Sequence, residues 1–236
     1  MSWMDNWKQR VEQVLFPDVC FVCGNSLTEP EHSVCGLCAL ESFQDANPEG
    51  GSFPGEIIAP EGVLFQHALW LFDKGGYLQD LLHMLKYQHQ YGIGIDLGRH
   101  LGKSLLSYPP ITSLDTSHAP PLLIPVPLHP KKQKRRGYNQ ARAIAEGVAA
   151  VTGWPVADPK TVLRIRNTST QTGFSLEKRN KNVAQAFLVG RPGKLSDRAG
   201  IIVDDVFTTG STSFELVKTV QQHGITELGI ATIAQA

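Results

Sequence analysis

A chain of 236 residues suffices for one sizeable α/β domain plus a small appendage. Lys and Arg total 22, as do Asp and Glu, so no global basic field of the kind that drives nonspecific nucleic-acid binding exists. The longest apolar runs fall far short of a membrane span and residues 1–10 lack a signal-peptide core, so the expectation is a cytoplasmic protein without membrane insertion.

Residues 1–16 predict a short amphipathic helix, with Trp3, Trp7, Val11, Val14 and Leu15 on the face that docks on its own domain. The only four cysteines follow as two C-x2-C pairs, Cys20/Cys23 and Cys35/Cys38, too bunched for a secreted disulfide scaffold. Paired thiolates on two tight turns predict a closed tetrahedral Zn²⁺ site, with Zn–S bonds of about 2.3 Å. Free thiols and an iron–sulfur site rank behind it. With all four positions filled by protein, such a zinc serves folding or docking. Residues 1–45 therefore form the expected zinc module, and 46–62, rich in Gly, Pro, Ser, Asn and Glu, the linker.

The remaining 63–236 read as one domain, with 63–110 as a helical hood. Residues 63–72 predict a strand. Leu78, Leu81, Leu82 and Leu85 mark one helix, and Leu97, Leu101 and Leu105 a second. Residues 114–121 read as loop and 122–126 as a buried strand. A basic loop at 128–137 carries Lys131, Lys132, Lys134, Arg135 and Arg136, and a helix with Ala141, Ile144, Ala145, Val148 and Val151 follows, closed by Gly153. Strands are expected around 162–165 and 200–203, a helix at 213–223 closed by Gly224, and a last strand at 229–234. This alternation predicts a parallel sheet covered on both faces. Ligands of such sheets sit at the carboxyl ends of the strands, where 128–137 and 204–212 both fall.

Residues 201–212, I-I-V-D-D-V-F-T-T-G-S-T, carry the sharpest chemistry. A β-branched strand ends in two carboxylates, and a loop of small hydroxyl residues then opens a helix. Backbone N–H groups, the helix N-terminus and the hydroxyls of Thr208, Thr209, Ser211 and Thr212 around Gly210 attract a phosphate. Asp204 and Asp205 accept hydrogen bonds from vicinal ribose hydroxyls; adjacent carboxylates repel unless such partners or a cation offset them. The pattern resembles the 5-phosphoribosyl-1-pyrophosphate (PRPP) loop of type I phosphoribosyltransferases. It lacks the Gly-Lys-Ser/Thr of a Walker loop and the G-x-G-x-x-G of a dinucleotide fold.

The basic loop reads either as solvated surface or as cations that neutralise a pyrophosphate, with His129 structural ahead of a phosphate or base contact. Residues 164–187 are polar and basic, and read either as a mobile surface loop or as a lid that excludes water from a bound phosphate ester.

Together these blocks resemble the ComF family, which joins a four-cysteine knuckle to a phosphoribosyltransferase-type domain and is linked to DNA uptake in natural transformation. The resemblance runs from about Cys20 to the C-terminus. The family's P-L-H-P and R-G-aromatic-N-Q-A stand at 127–130 and 136–141, and its V-D-D-V-x-T-T-G-x-T at 203–212. Its lid pattern is met by Arg164, Arg166, Thr168, Gln171, Arg179, Asn182, Ala186 and Phe187, and its L-x-x-L-I-H-x-L-K-aromatic helix by 78–87, with Leu82 for Ile.

The resemblance implies an α/β fold, a type I phosphoribosyltransferase-like parallel sheet with helices on both faces, plus a small N-terminal zinc-ribbon module. It implies PRPP bound with Mg²⁺. Asp204 and Asp205 would hold the ribose, Thr208, Thr209, Gly210, Ser211 and Thr212 the 5-phosphate, and Lys131, Arg135 and Arg136 the pyrophosphate; Gln171 and Arg179 would belong to the lid. The expected function is phosphoribosyl transfer. The alternative is a non-catalytic PRPP-binding or single-stranded-DNA-handling competence factor that works with other DNA-uptake proteins. The acceptor would meet 63–108, where no base-binding signature stands.

Overall fold

The computed structural model describes residues 19–27, 33–46, 53, 57–167, 185–195 and 198–236. The expected helix at 1–16 lies outside them. A short helix α1 (Gly36–Glu41) follows the second cysteine turn. Then come β1 (Val63–Leu71), α2 (Tyr77–Tyr87), α3 (Tyr91–Leu106), β2 (Leu122–Pro125), α4 (Pro130–Arg136) and α5 (Gln140–Thr152). The chain continues through β3 (Val162–Arg164), β4 (Phe187–Val189), β5 (Gly200–Phe207), α6 (Ser211–Gln221) and β6 (Leu228–Gln235).

Four strands form a parallel sheet in the order β1-β6-β5-β2. Side chains alternate across it. Ile201, Val203, Ala231 and Ile233 share one core with Leu85, Leu97, Leu101 and Ile144 from α2, α3 and α5. Ile202 and Ile230 share the other with Leu216, Val217 and Val220 of α6. Burial on both faces is why these strands read as unbroken apolar runs. Both edges are covered: Leu71 N–H donates to Gln44 O at 2.8 Å beyond β1, and Ala157 N–H to Leu123 O at 2.8 Å beyond β2.

On the first face α3 crosses α5 where Gly98 meets Gly147. A Cβ at Gly147 would stand 2.1 Å from Ile95 O and 2.8 Å from Gly98 Cα, so the helices touch backbone to backbone. His67 of β1 faces this layer; burial lowers its pKa to about 4, so it stays neutral, with Nε2 2.8 Å from Ser104 Oγ.

The cysteine turns dock on the same layer. Asp96 of α3, 1% exposed, accepts from Ser33 N–H at 3.0 Å, from Val34 N–H at 3.4 Å and from the Ser33 hydroxyl. Donors on the docked loop thus replace the water this carboxylate would otherwise need. Phe43 packs on Trp70, ring centroids 4.6 Å apart.

Three expectations are corrected. The stretch 128–137 is not a loop throughout: Pro130 sits in the first turn of α4, His129 Nδ1 accepts Lys131 N–H at 3.3 Å, and Gly137 at φ 79° ends the helix. The strand expected at 162–165 forms, but pairs antiparallel with β4 outside the main sheet. Exposed Leu163 and Leu188 alternate with buried Val162 and Val189, the pattern of a half-solvated pair rather than an inner parallel strand. Finally, β5 runs through both aspartates to Phe207, and α6 starts at Ser211.

Gly147→Ala tests the crossing. Alanine favours an isolated helix by about 1 kcal/mol, yet overpacking against Ile95 O outweighs it. The expected net loss is about 2 kcal/mol in urea unfolding, with unchanged helical circular dichroism.

Candidate functional site

β5 carries Asp204 and Asp205 to the carboxyl edge of the sheet, where Asp204 pairs in register with Thr232. Asp204 Oδ1 accepts the N–H of Asp205 at 2.9 Å. Burial, and then the charge of Asp205, raise the pKa of Asp204; Lys86 and Arg164 oppose the rise. Beyond Phe207 the loop turns at once. Thr209 Oγ1 and Ser211 Oγ stand 2.9 Å apart. Gly210 has φ 72°, and a Cβ there would meet the Phe214 ring at 2.5 Å, so the turn needs glycine. No side chain caps α6 at Gly210. Its first-turn N–H groups, among them Ser211 and Thr212, lack intrahelical acceptors.

Sequence reasoning missed Lys86 as a site residue. Its Nζ lies 2.8 Å from Asp205 Oδ2. Burial pulls the Lys86 pKa down, but Asp205, with Asp204 behind it, more than offsets this and holds the ammonium above its usual value. The signal was present: Leu78, Leu82 and Lys86 stand at i, i+4 and i+8, so a cation continues a buried stripe. The residues on either side are also held. Tyr138 Oη donates to Leu85 O at 2.6 Å, and the Arg136 guanidinium lies 5.5 Å from the Tyr87 ring centroid.

The α4 cations divide. Lys131, Lys134 and Arg135 are exposed, whereas Arg136 is buried and its Nη1 donates to Gln140 Oε1 at 2.9 Å. Lys132 is half-buried; burial, then the charges of Arg164, Arg136 and Arg135, lower its pKa to about 8. Arg164 of β3 lies 5.4 Å from the Phe187 ring centroid, and its charge reaches Asp204. Arg164 thus links the acidic pair to Lys132, which also feels Arg136, while Lys131 and Arg135 are exposed. Gln171 and Arg179 lie outside the described residues. A cavity of about 490 Å³ opens between α4, the start of α5 and β3, with Leu128, Tyr138, Leu163 and Arg164 in its walls; Asp204 and Asp205 do not line it.

In the cysteine turns, the sulfur atoms of Cys20, Cys23, Cys35 and Cys38 all lie within 4.8 Å of one another. Thiolates on a tetrahedron of 2.3 Å bonds stand about 3.8 Å apart, and Cys23 Sγ and Cys35 Sγ are at 3.9 Å. The N–H of Cys35 points at Cys20 Sγ and that of Cys38 at Cys35 Sγ, both at 3.4 Å, as thiolates require. The cluster fits a structural zinc.

No helix among the described residues is long and apolar enough to cross a membrane. No family model matches the chain. It is 30% identical over 230 residues to competence protein F of Haemophilus influenzae, covering 92% of this chain and 96% of that one. It is 29% identical over 218 residues to the DNA utilization protein YhgH of Salmonella typhi, covering 88% and 92%. Among solved structures it overlaps the glutamine PRPP amidotransferase of B. subtilis, at 20% identity and a TM-score of 0.36, across 58% of this chain and only 26% of that enzyme. With its four-cysteine cluster, its parallel sheet and a near full-length match to competence protein F, the chain belongs to the competence protein F (ComF) family.

Proposed function

We propose that this protein binds PRPP with Mg²⁺ and transfers its phosphoribosyl group. The observation that carries the reading is the carboxyl edge of β5, where an acidic pair runs directly into a hydroxyl loop that opens α6. Asp204 and Asp205 accept from the ribose hydroxyls. The N–H groups and hydroxyls of residues 208–212 take the 5-phosphate. The cations of α4, Lys131, Arg135 and Arg136, take the pyrophosphate. Mg²⁺ bound together with PRPP would supply charge stabilisation for the departing pyrophosphate. Departure from an oxocarbenium-like centre needs positioning and charge more than proton transfer.

Asp204→Asn with Asp205→Asn tests the site. Each lost charge-assisted hydrogen bond costs about 1.5–3 kcal/mol, so calorimetry should find PRPP affinity at least about tenfold weaker in a protein of unchanged circular dichroism. Unchanged affinity sinks the assignment.

A second reading, single-stranded-DNA handling, is favoured by one observation: Lys131, Lys134 and Arg135 stand exposed together on α4. Lys131→Ala with Arg135→Ala separates the two. If α4 serves pyrophosphate, PRPP affinity falls about tenfold while ribose 5-phosphate changes little. If it serves DNA, the salt dependence of single-strand binding flattens by about 0.7 log units per lost phosphate contact.

Zinc in the cysteine cluster completes the proposal. Elemental analysis of protein purified under reducing conditions should find about one Zn²⁺ per chain. Cys20→Ser or Cys38→Ser should abolish it and loosen the docked turns around Ser33; metal-free parent protein would refute the site.

A further inference from the structure

Three consecutive residues at the end of α2 are each tied to a different part of the site. Leu85 O accepts from Tyr138 Oη at 2.6 Å, the Lys86 ammonium pairs with Asp205 at 2.8 Å, and the Tyr87 ring lies under Arg136. Tyr138 and Arg136 flank the turn at Gly137 between α4 and α5, so one helical turn of the hood clasps both the basic helix and the acidic strand end. The Lys86 and Asp205 side chains are only 25% and 15% exposed, too sheltered to be an ordinary screened surface pair.

A carboxylate accepts at both oxygens, so an ion pair through Oδ2 sets the plane in which Oδ1 offers its lone pairs. Asp204 is oriented differently, by the Asp205 N–H on its Oδ1. The two carboxylates therefore have separate anchors, and that of Asp205 comes from α2, outside the strand. Resting on the sugar-phosphate reading above, we propose that Lys86 is a positioning residue that holds Asp205 to accept a ribose hydroxyl, so that the site selects ribose phosphates over 2-deoxyribose phosphates. The hood helix then determines sugar identity, separately from whatever the acceptor is.

The test measures binding of ribose 5-phosphate, 2-deoxyribose 5-phosphate and inorganic phosphate by calorimetry on the full chain. The parent should favour ribose 5-phosphate by about tenfold, the worth of one charge-assisted hydrogen bond. Lys86→Met should bring the two sugars within about threefold of each other and leave inorganic phosphate nearly unchanged. Lys86→Arg should restore the preference, which a packing role for the lysine stem alone would not explain. Lys86→Gln carries the same expectation if the methionine variant does not fold. A folded Lys86→Met or Lys86→Gln protein that keeps the parent's preference overturns the proposal. So does an equal fall for both sugars and for phosphate, which marks Lys86 as a general attractor of anions. A parent that binds ribose 5-phosphate without preference overturns the proposal alone, whereas a parent that binds neither sugar overturns the sugar-phosphate reading with it.

Discussion

β5 is hydrogen-bonded on both sides, to β6 and to β2, and the rest of the molecule is arranged around that pairing. Its register places Ile201 and Val203 in one core and Ile202 in the other, so helices must cover both faces. The same pairing continues to Phe207 and carries two aspartates to the edge of the sheet on a rigid support. The loop that follows has no room to wander, because Gly210 closes it against Phe214 before α6 begins. A slip of one residue would put Asp204 where Asp205 stands and would break both cores at once.

Two adjacent carboxylates at the end of a buried strand are an electrostatic liability, and the surrounding elements answer it. Asp204 is desolvated and faces the charge of Asp205, which favours its protonated form. Lys86 from α2 and Arg164 from β3 work against that. Neither cation is near the aspartates in sequence. Lys132 presents the opposite case: burial first, and then the like charges of Arg164, Arg136 and Arg135, lower its pKa.

The cysteine turns belong to the same physical argument. Their contact with the α/β domain includes a buried carboxylate, Asp96, which accepts from groups of residues 33 and 34. Replacing Ser33 by an apolar residue of similar size would keep that carboxylate buried with fewer donors, which is unfavourable. The pairing of Leu71 with Gln44 adds backbone hydrogen bonds at the β1 edge. The module is thereby joined to α3, the helix that crosses α5 at Gly98 and Gly147.

Local signals were enough for the sheet strands, the main helices, the glycine stops at Gly153 and the four-cysteine cluster, because each rests on periodicity or spacing within a few residues. The strand–Asp-Asp–hydroxyl loop–helix order was legible for the same reason. Local pattern failed where two solutions look alike over a short span. Residues 130–136 read as a basic loop until Pro130 and His129 are seen as a helix start, and residues 162–164 read as one more strand of the parallel sheet until their partner is known. Lys86 stood on a leucine stripe, yet its partner lies more than a hundred residues away, and no spacing rule links them. Which cations of α4 are buried and which are solvated depended likewise on Tyr87 and Gln140 arriving from other helices. The sequence by itself determined which elements form and what chemistry they carry, since these follow from backbone and side-chain preferences over one or two turns. Only the tertiary structure decided which charges meet, because pairing across distant elements depends on the packing of the whole domain.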